Sequence, residues 1–154
     1  MKRTRILASA ALAGVASLST VAVAQGSAPN AHAARAGTVD LRSTSLGRIL
    51  VNASGFTLYE FTRDSRNRDT CVKVRGCSAV WPALTSSRPT AGPCVRAALL
   101  STIRLPGGAR QVTYAGHPLY LYREATERAE TGYVGVFHFG GSWDALNAAG
   151  ATVR

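Results

Sequence analysis

Cys71, Cys77 and Cys94, His117 and His138, and Asp64 and Asp69 are the side chains of this sequence that could bind a metal, carry electrons or move a proton. Three thiols and two imidazoles could make a metal site, but such sites set their ligands in C-x-x-C or H-x-x-x-H pairs, and neither spacing is present. No metal ligands are therefore expected. Cys71 and Cys77 flank Val72-Lys73-Val74-Arg75-Gly76, a short loop that a disulfide could close in an oxidising compartment, at a gain on the order of 2 kcal/mol. Cys94 is then the odd thiol: free, paired with another chain, or displacing one member of the first pair. A redox or metal-handling protein that uses Cys71, Cys77 and Cys94 is the alternative function these residues sustain.

Asp64 and Asp69 could pair as acid and base, yet Arg63, Arg66 and Arg68 surround them in sequence and would hold both ionised. Salt-bridged loop carboxylates are the expectation. His138 sits in Val136-Phe137-His138-Phe139, where alternation turns it away from both rings towards the surface, and His117 precedes Pro118 at a hairpin bend, a structural place. There is no G-x-S-x-G, no H-E-x-x-H and no G-x-x-x-x-G-K-[ST]. Catalytic and cofactor-binding residues are accordingly expected to be none, and the protein is not expected to be an enzyme.

The elements that hold these residues repeat. Gly55-Phe56-Thr57-Leu58-Tyr59-Glu60-Phe61 returns as Gly116-His117-Pro118-Leu119-Tyr120-Leu121-Tyr122, and Trp81 and Trp143 each close their half. Within each unit the period is that of strands: Arg48 to Val51 and Phe56 to Phe61 flank the turn-forming Asn52-Ala53-Ser54-Gly55, and Gln111 to Tyr114 and His117 to Tyr122 flank Ala115-Gly116. Alternation puts Phe56, Leu58 and Glu60 on one face and Tyr59 and Phe61 on the other, so both faces need partners and two packed layers follow. Cys94 to Thr102 and Trp143 to Ala148 have helical composition. The expectation is a mainly β fold: two hairpin-containing repeats, 44–98 and 99–154, in one domain with one or two short helices.

Ahead of that domain, Lys2, Arg3 and Arg5 precede an apolar run from Ile6 to Ala24 that ends in Ala22-Val23-Ala24, the three parts of a signal peptide over 1–24. Residues 25–43 read as a flexible tether and 44–154 as the folded domain, with folding beginning near Thr38. The first cysteine is Cys71, so no lipid anchor is expected and the protein is expected to be secreted without one. The formal charge of +10 is carried almost wholly by scattered Arg, with Lys2 and Lys73 the only lysines. Nucleic-acid modules gather their charge on one stripe, so the expected partner is an anionic envelope polymer or another secreted protein, and not nucleic acid.

Tyr59-Glu60-Phe61-Thr62-Arg63-Asp64 fits Y-x-[FWY]-x-x-D, and it stands after Gly55-Phe56-Thr57-Leu58 and before Cys71, Cys77 and Trp81-Pro82-Ala83-Leu84. Those elements, in that order, resemble a bacterial family of secreted repeats, or predicted lipoproteins, of unknown function. Gln111 to Tyr120, Tyr122 and Phe139-Gly140-Gly141-Ser142-Trp143 resemble its second repeat. Ala125 stands where that repeat would carry its Asp, with Glu124 one place early, and the family's cysteines are usually closer together than Cys71 and Cys77. The resemblance implies export, a repeated β fold and no established activity. Taken with the scattered charge, it suggests a non-catalytic envelope or extracellular module that binds a partner through its aromatic and Arg-bearing surface.

Overall fold

The structure is a computed structural model that describes residues 37–154, so the leader over 1–24 and tether residues 25–36 lie outside the described residues. The first strand, β1 (Thr38–Thr44), begins at the expected Thr38, so residues 38–43 are sheet and not tether, because Val39 and Leu41 alternate into the core. β1 turns back into β2 (Gly47–Asn52), and the Thr44 hydroxyl closes that hairpin by donating to the Gly47 carbonyl at 2.8 Å. β4 (Thr90–Ala91) adds parallel to the other edge of β1. β5 (Leu100–Arg104), β6 (Arg110–Tyr114) and β7 (His117–Pro118) form a second sheet, an antiparallel meander.

The third sheet is built on β9 (Gly141–Leu146), which pairs with β3 (Tyr59–Phe61) along one edge and with β8 (Val136–His138) and β10 (Thr152–Val153) along the other. Ala115-Gly116 and Phe139-Gly140 make two-residue turns with both residues at positive φ, a geometry that follows the right-handed twist of the strands they join.

The sequence-read hairpins form only at their near ends. Leu58 N–H donates to Leu50 O and Leu119 N–H to Val112 O, each at 3.0 Å, but one residue later both chains change partner. Tyr59 and Tyr120 exchange both backbone hydrogen bonds with each other at 2.9 Å, and Ala145 and Ala83 bridge them respectively. Alternation drives the exchange. Leu58 and Leu119 enter an aliphatic cluster with Leu50, Leu84, Val112 and Leu146, while Tyr59 and Tyr120 enter an aromatic one with Phe61, Trp81 and Trp143.

The two stretches of helical composition are not helices. Cys94 to Thr102 holds a 3-10 turn (Ala97–Leu99) that runs into β5, and residues 143–146 belong to β9. Trp143, Asp144, Ala145 and Leu146 are all buried, which a strand paired on both edges achieves and a short helix does not, so tertiary pairing overrides propensity. The α-helix among the described residues is Cys77–Val80, entered through Gly76 at φ 80°. In the aromatic cluster, Phe61 and Trp81 both stack on Trp143, at 4.2 and 4.1 Å between ring centroids. Tyr120 meets Trp143 edge-on at 5.1 Å and Tyr59 meets Trp81 edge-on at 5.2 Å. Such pairs are worth about 0.5–1.5 kcal/mol each beyond the area they bury.

Candidate functional site

The chain leaves β3 at Phe61 into a loop that is tied down at every second or third residue. Asp64 is its organiser: Oδ1 accepts the Thr70 N–H and the Thr70 hydroxyl, each at 2.7 Å, and Oδ2 accepts the Tyr120 hydroxyl at 2.6 Å. Asp69 Oδ1 caps the next turn by accepting the Val72 N–H at 3.0 Å. Cys71 and Cys77 are joined by a disulfide, both buried in the aromatic cluster. The bridge therefore fastens the loop's far end to the same core that Tyr120 enters.

The expectation that Asp64 and Asp69 are salt-bridged to neighbouring arginines is corrected here. Neither carboxylate is in a salt bridge. Burial is the largest influence on Asp64 and pushes its carboxyl above the usual range, against the hydrogen bonds from Tyr120 and Thr70 that favour the charged form. The guanidiniums turn outward to backbone oxygens, Arg63 to Phe139 O at 2.7 Å and Arg66 to Ala115 O at 2.9 Å. Arg66 crosses Gly116 so closely that a Cβ there would lie 2.6 Å from its Cγ. Burial and the Asp64 charge push the Tyr120 phenol far upward, so it stays a hydrogen-bond donor.

A second polar group lies under β10. Glu60 is buried, and its oxygens meet His117 Nδ1 at 2.5 Å and the Thr152 hydroxyl at 2.5 Å. The hydrogen bond to Glu60 raises the pKa of His117 above the ordinary imidazole value despite partial burial. Glu60 lies directly opposite Asp144 in the β3–β9 register, and Asp144 takes Arg154 through two hydrogen bonds to Oδ2, at 3.0 and 2.9 Å. Two buried acidic side chains face each other, and each has its own basic partner, His117 for Glu60 and Arg154 for Asp144.

The residues singled out from the sequence do not converge on one cleft. Tyr120 meets Asp64, but the Tyr59 hydroxyl goes instead to Glu130 O at 3.4 Å, and Tyr122 donates to Glu124 at the surface at 3.3 Å. Burial drives the Tyr59 phenol upward as well. His138 is exposed at the rim as expected but does not turn away from both rings, because the turn at Phe139-Gly140 brings the Phe139 ring onto its imidazole at 4.0 Å between centroids, and its Nδ1 accepts the Trp81 indole N–H at 3.4 Å. Phe137 beside it is 73% exposed. Cys94 is unpaired and exposed next to Val95 of the aliphatic cluster. Among the described residues, no three of His, Cys, Asp and Glu are grouped as metal ligands.

Thr70, Thr152, Asp144 and Arg154 give no sequence signal, because each acts through a partner set by the fold. One pattern does carry over to the whole surface. Every Lys and Arg among the described residues is exposed, whereas Glu60, Asp69 and Asp144 are buried. Of those cations only Arg154 is in a salt bridge among the described residues.

Residues 41–85 match the Lipoprotein_15 family model, a secreted repeat of unknown function. The matched segment of this secreted-repeat family contains Tyr59, Phe61, Asp64, both bridged cysteines and Trp81, whereas Tyr120, Tyr122 and Trp143 lie beyond it. Comparison with the curated proteins finds no match, and comparison with the solved structures finds none either.

Proposed function

We propose that this protein is a non-catalytic extracellular module that binds an anionic polymer of the cell envelope. The observation that carries this reading is the separation of charge. Glu60, Asp69 and Asp144 are buried and hold strands and a turn together, leaving Glu124 and Glu127 as the exposed acidic residues, while every Lys and Arg among the described residues is exposed and, apart from Arg154, in no salt bridge. Unpaired exposed cations attract a polyanion over about a Debye length, some 8–10 Å at moderate salt, and lose that attraction as salt is raised. Support for secretion comes from the family description.

The same reading treats the two halves as copies of one unit facing each other. It is supported by Tyr59 and Tyr120 pairing with each other and by Ala145 and Ala83 pairing crosswise with them. Trp81 and Trp143, each three residues before a buried leucine (Leu84 and Leu146), stack with planes 3° apart.

Sedimentation of the purified protein with isolated cell wall tests the function. Retention at low salt that is released by high salt is expected. Failure to sediment with the wall at low salt overturns the reading.

A further inference from the structure

The loop that Asp64 and the disulfide hold in place carries a cleft. Residues 67–73 form one side and residues 103–106, where β5 gives way to its turn, form the other, around an opening of about 210 Å3. Arg68, Lys73 and Arg104 line it, from three different stretches of backbone: the loop, the 3-10 turn at Cys71–Lys73 and the end of β5. Other arginines nearby are already used: Arg63 and Arg66 donate to carbonyls and Arg110 to the Thr102 hydroxyl. Arg68, Lys73 and Arg104 are in no salt bridge.

Asp69 lies at the floor and offsets one of the three charges. Its Oδ1 is taken by the Val72 N–H, and its Oδ2 is sealed from solvent, so that oxygen offers no acceptor to a ligand in the cleft. The cleft is left with a net positive charge, and Asn67 adds an uncharged amide at its edge.

The geometry points to a binding site for one phosphate group, held by Arg68, Lys73 and Arg104. This rests on the anionic-polymer reading above and deepens it by naming the group recognised. The volume admits a single small anion and not an extended chain, so a polymer would place one of its charged groups here. Two guanidinium forks and an ammonium suit the several oxygens of a phosphate. Val72, Ile103 and Leu105 also line the cleft, and they offer apolar contact to the carbon linkers between successive phosphodiesters.

The site is organised before any ligand arrives. Arg68 is bridged to Ser65, Lys73 ends a turn capped by Asp69, and the disulfide ties that turn to the helix. Binding then costs little ordering of the backbone.

Amide chemical shifts of the purified protein, titrated with inorganic phosphate, with a glycerol phosphate oligomer and with poly-glutamate of equal charge, test the site. Shifts confined to residues 67–73 and 103–106 are expected with both phosphate probes. The triple variant R68Q/K73Q/R104Q is expected to bind the oligomer at least about tenfold more weakly, the loss of one charge-assisted contact or more. The triple variant R42Q/R48Q/R88Q, which removes as much charge elsewhere on the surface, is expected to change it less than about twofold. A spectrum unaltered away from the substituted positions certifies that each variant is folded.

Equal losses in the two triple variants, or shifts spread over the whole surface, overturn the cleft while leaving the anionic-polymer reading intact. Equal occupation of the cleft by poly-glutamate overturns the assignment to phosphate. Localised phosphate shifts without retention on isolated wall support the site and overturn the wall as its source.

Discussion

The segments that follow Phe61 and Tyr122 leave stretches of matching sequence pattern, one ending in β3 and the other running on past β7 without strand structure, and are built in opposite ways. After Phe61 the chain is held by a half-buried carboxyl, a capped turn and a disulfide, and the charged side chains it shows to solvent are Arg63, Arg66, Arg68, Lys73 and Arg75. After Tyr122 there is no cysteine, Ala125 replaces the carboxylate, and Glu124, Glu127 and Glu130 sit among Arg123 and Arg128. What ties that second segment down are bonds to or from its backbone: the Arg123 and Ala129 N–H groups donate to Val80 O and Gly55 O, and the hydroxyls of Thr57 and Tyr59 donate to Glu130 O. The difference teaches that a shared strand pattern fixes where the chain leaves the core. Separate residues then fix how firmly the next stretch is held. A covalent bridge and an excess of positive charge coincide in the first segment, whereas the second has no bridge and its Arg123 and Arg128 are offset by Glu124, Glu127 and Glu130.

The comparison breaks most readily at Asp64. Asp64→Ala is expected to cost about 3 kcal/mol in urea unfolding, because it removes three hydrogen bonds and strands the Tyr120 hydroxyl in the aromatic cluster. Glu124→Ala, the nearest counterpart after Tyr122, is expected to cost less than about 0.5 kcal/mol. Equal costs would erase the distinction between the segments. Replacing both Cys71 and Cys77 by Ser is next, at about 2 kcal/mol for a loop of this length. Limited proteolysis should then cut within residues 62–76 before it cuts within 123–135, and the reverse order would show that the bridge is not what holds the first loop.

Tyr120→Phe against Tyr59→Phe is a finer test. The first leaves Asp64 Oδ2 without its donor and is expected to lower stability by about 1.5 kcal/mol, the second by about 0.5 kcal/mol for a long bond to a carbonyl. The smallest effect expected is that of His117. Its folded pKa is raised by Glu60, so its contribution is fully present below the unfolded value near 6.5 and is lost as pH rises through the folded value. With the imidazole 40% exposed, solvent screening keeps this below about 1 kcal/mol. The melting temperature of His117→Gln should fall short of wild type at pH 6 and approach it at pH 9. An unchanged gap across that range would mean that Glu60 and His117 are not coupled.

Local pattern made part of this molecule readable in advance. Leu58 and Tyr59 point to opposite cores because strand alternation requires it, and the two-residue turn at Ala115-Gly116 follows from its residues. The family resemblance likewise rests on local spacing around Tyr59, Phe61 and Asp64, and residues 41–85 carry it. Long-range choices were not readable. Nothing in Trp143-Asp144-Ala145-Leu146 announces a strand paired on both edges, since burial on every side removes the alternation by which strands are recognised. The arginines beside Asp64 suggested ion pairs by proximity in sequence. The fold set the Tyr120 hydroxyl, fifty-six positions away, against that carboxyl instead.

The stacked pair Trp81 and Trp143 has an optical consequence. They are the only two indoles in the chain, and they lie face to face with one contributed from each side of the Tyr59–Tyr120 junction. Their transitions are coupled only while that junction is closed, so the near-ultraviolet dichroism of the unlabelled protein is a built-in gauge of whether the two sides are joined. It should disappear in a single step with the rest of the folded signal, because neither side keeps its central backbone pairings once the other has left.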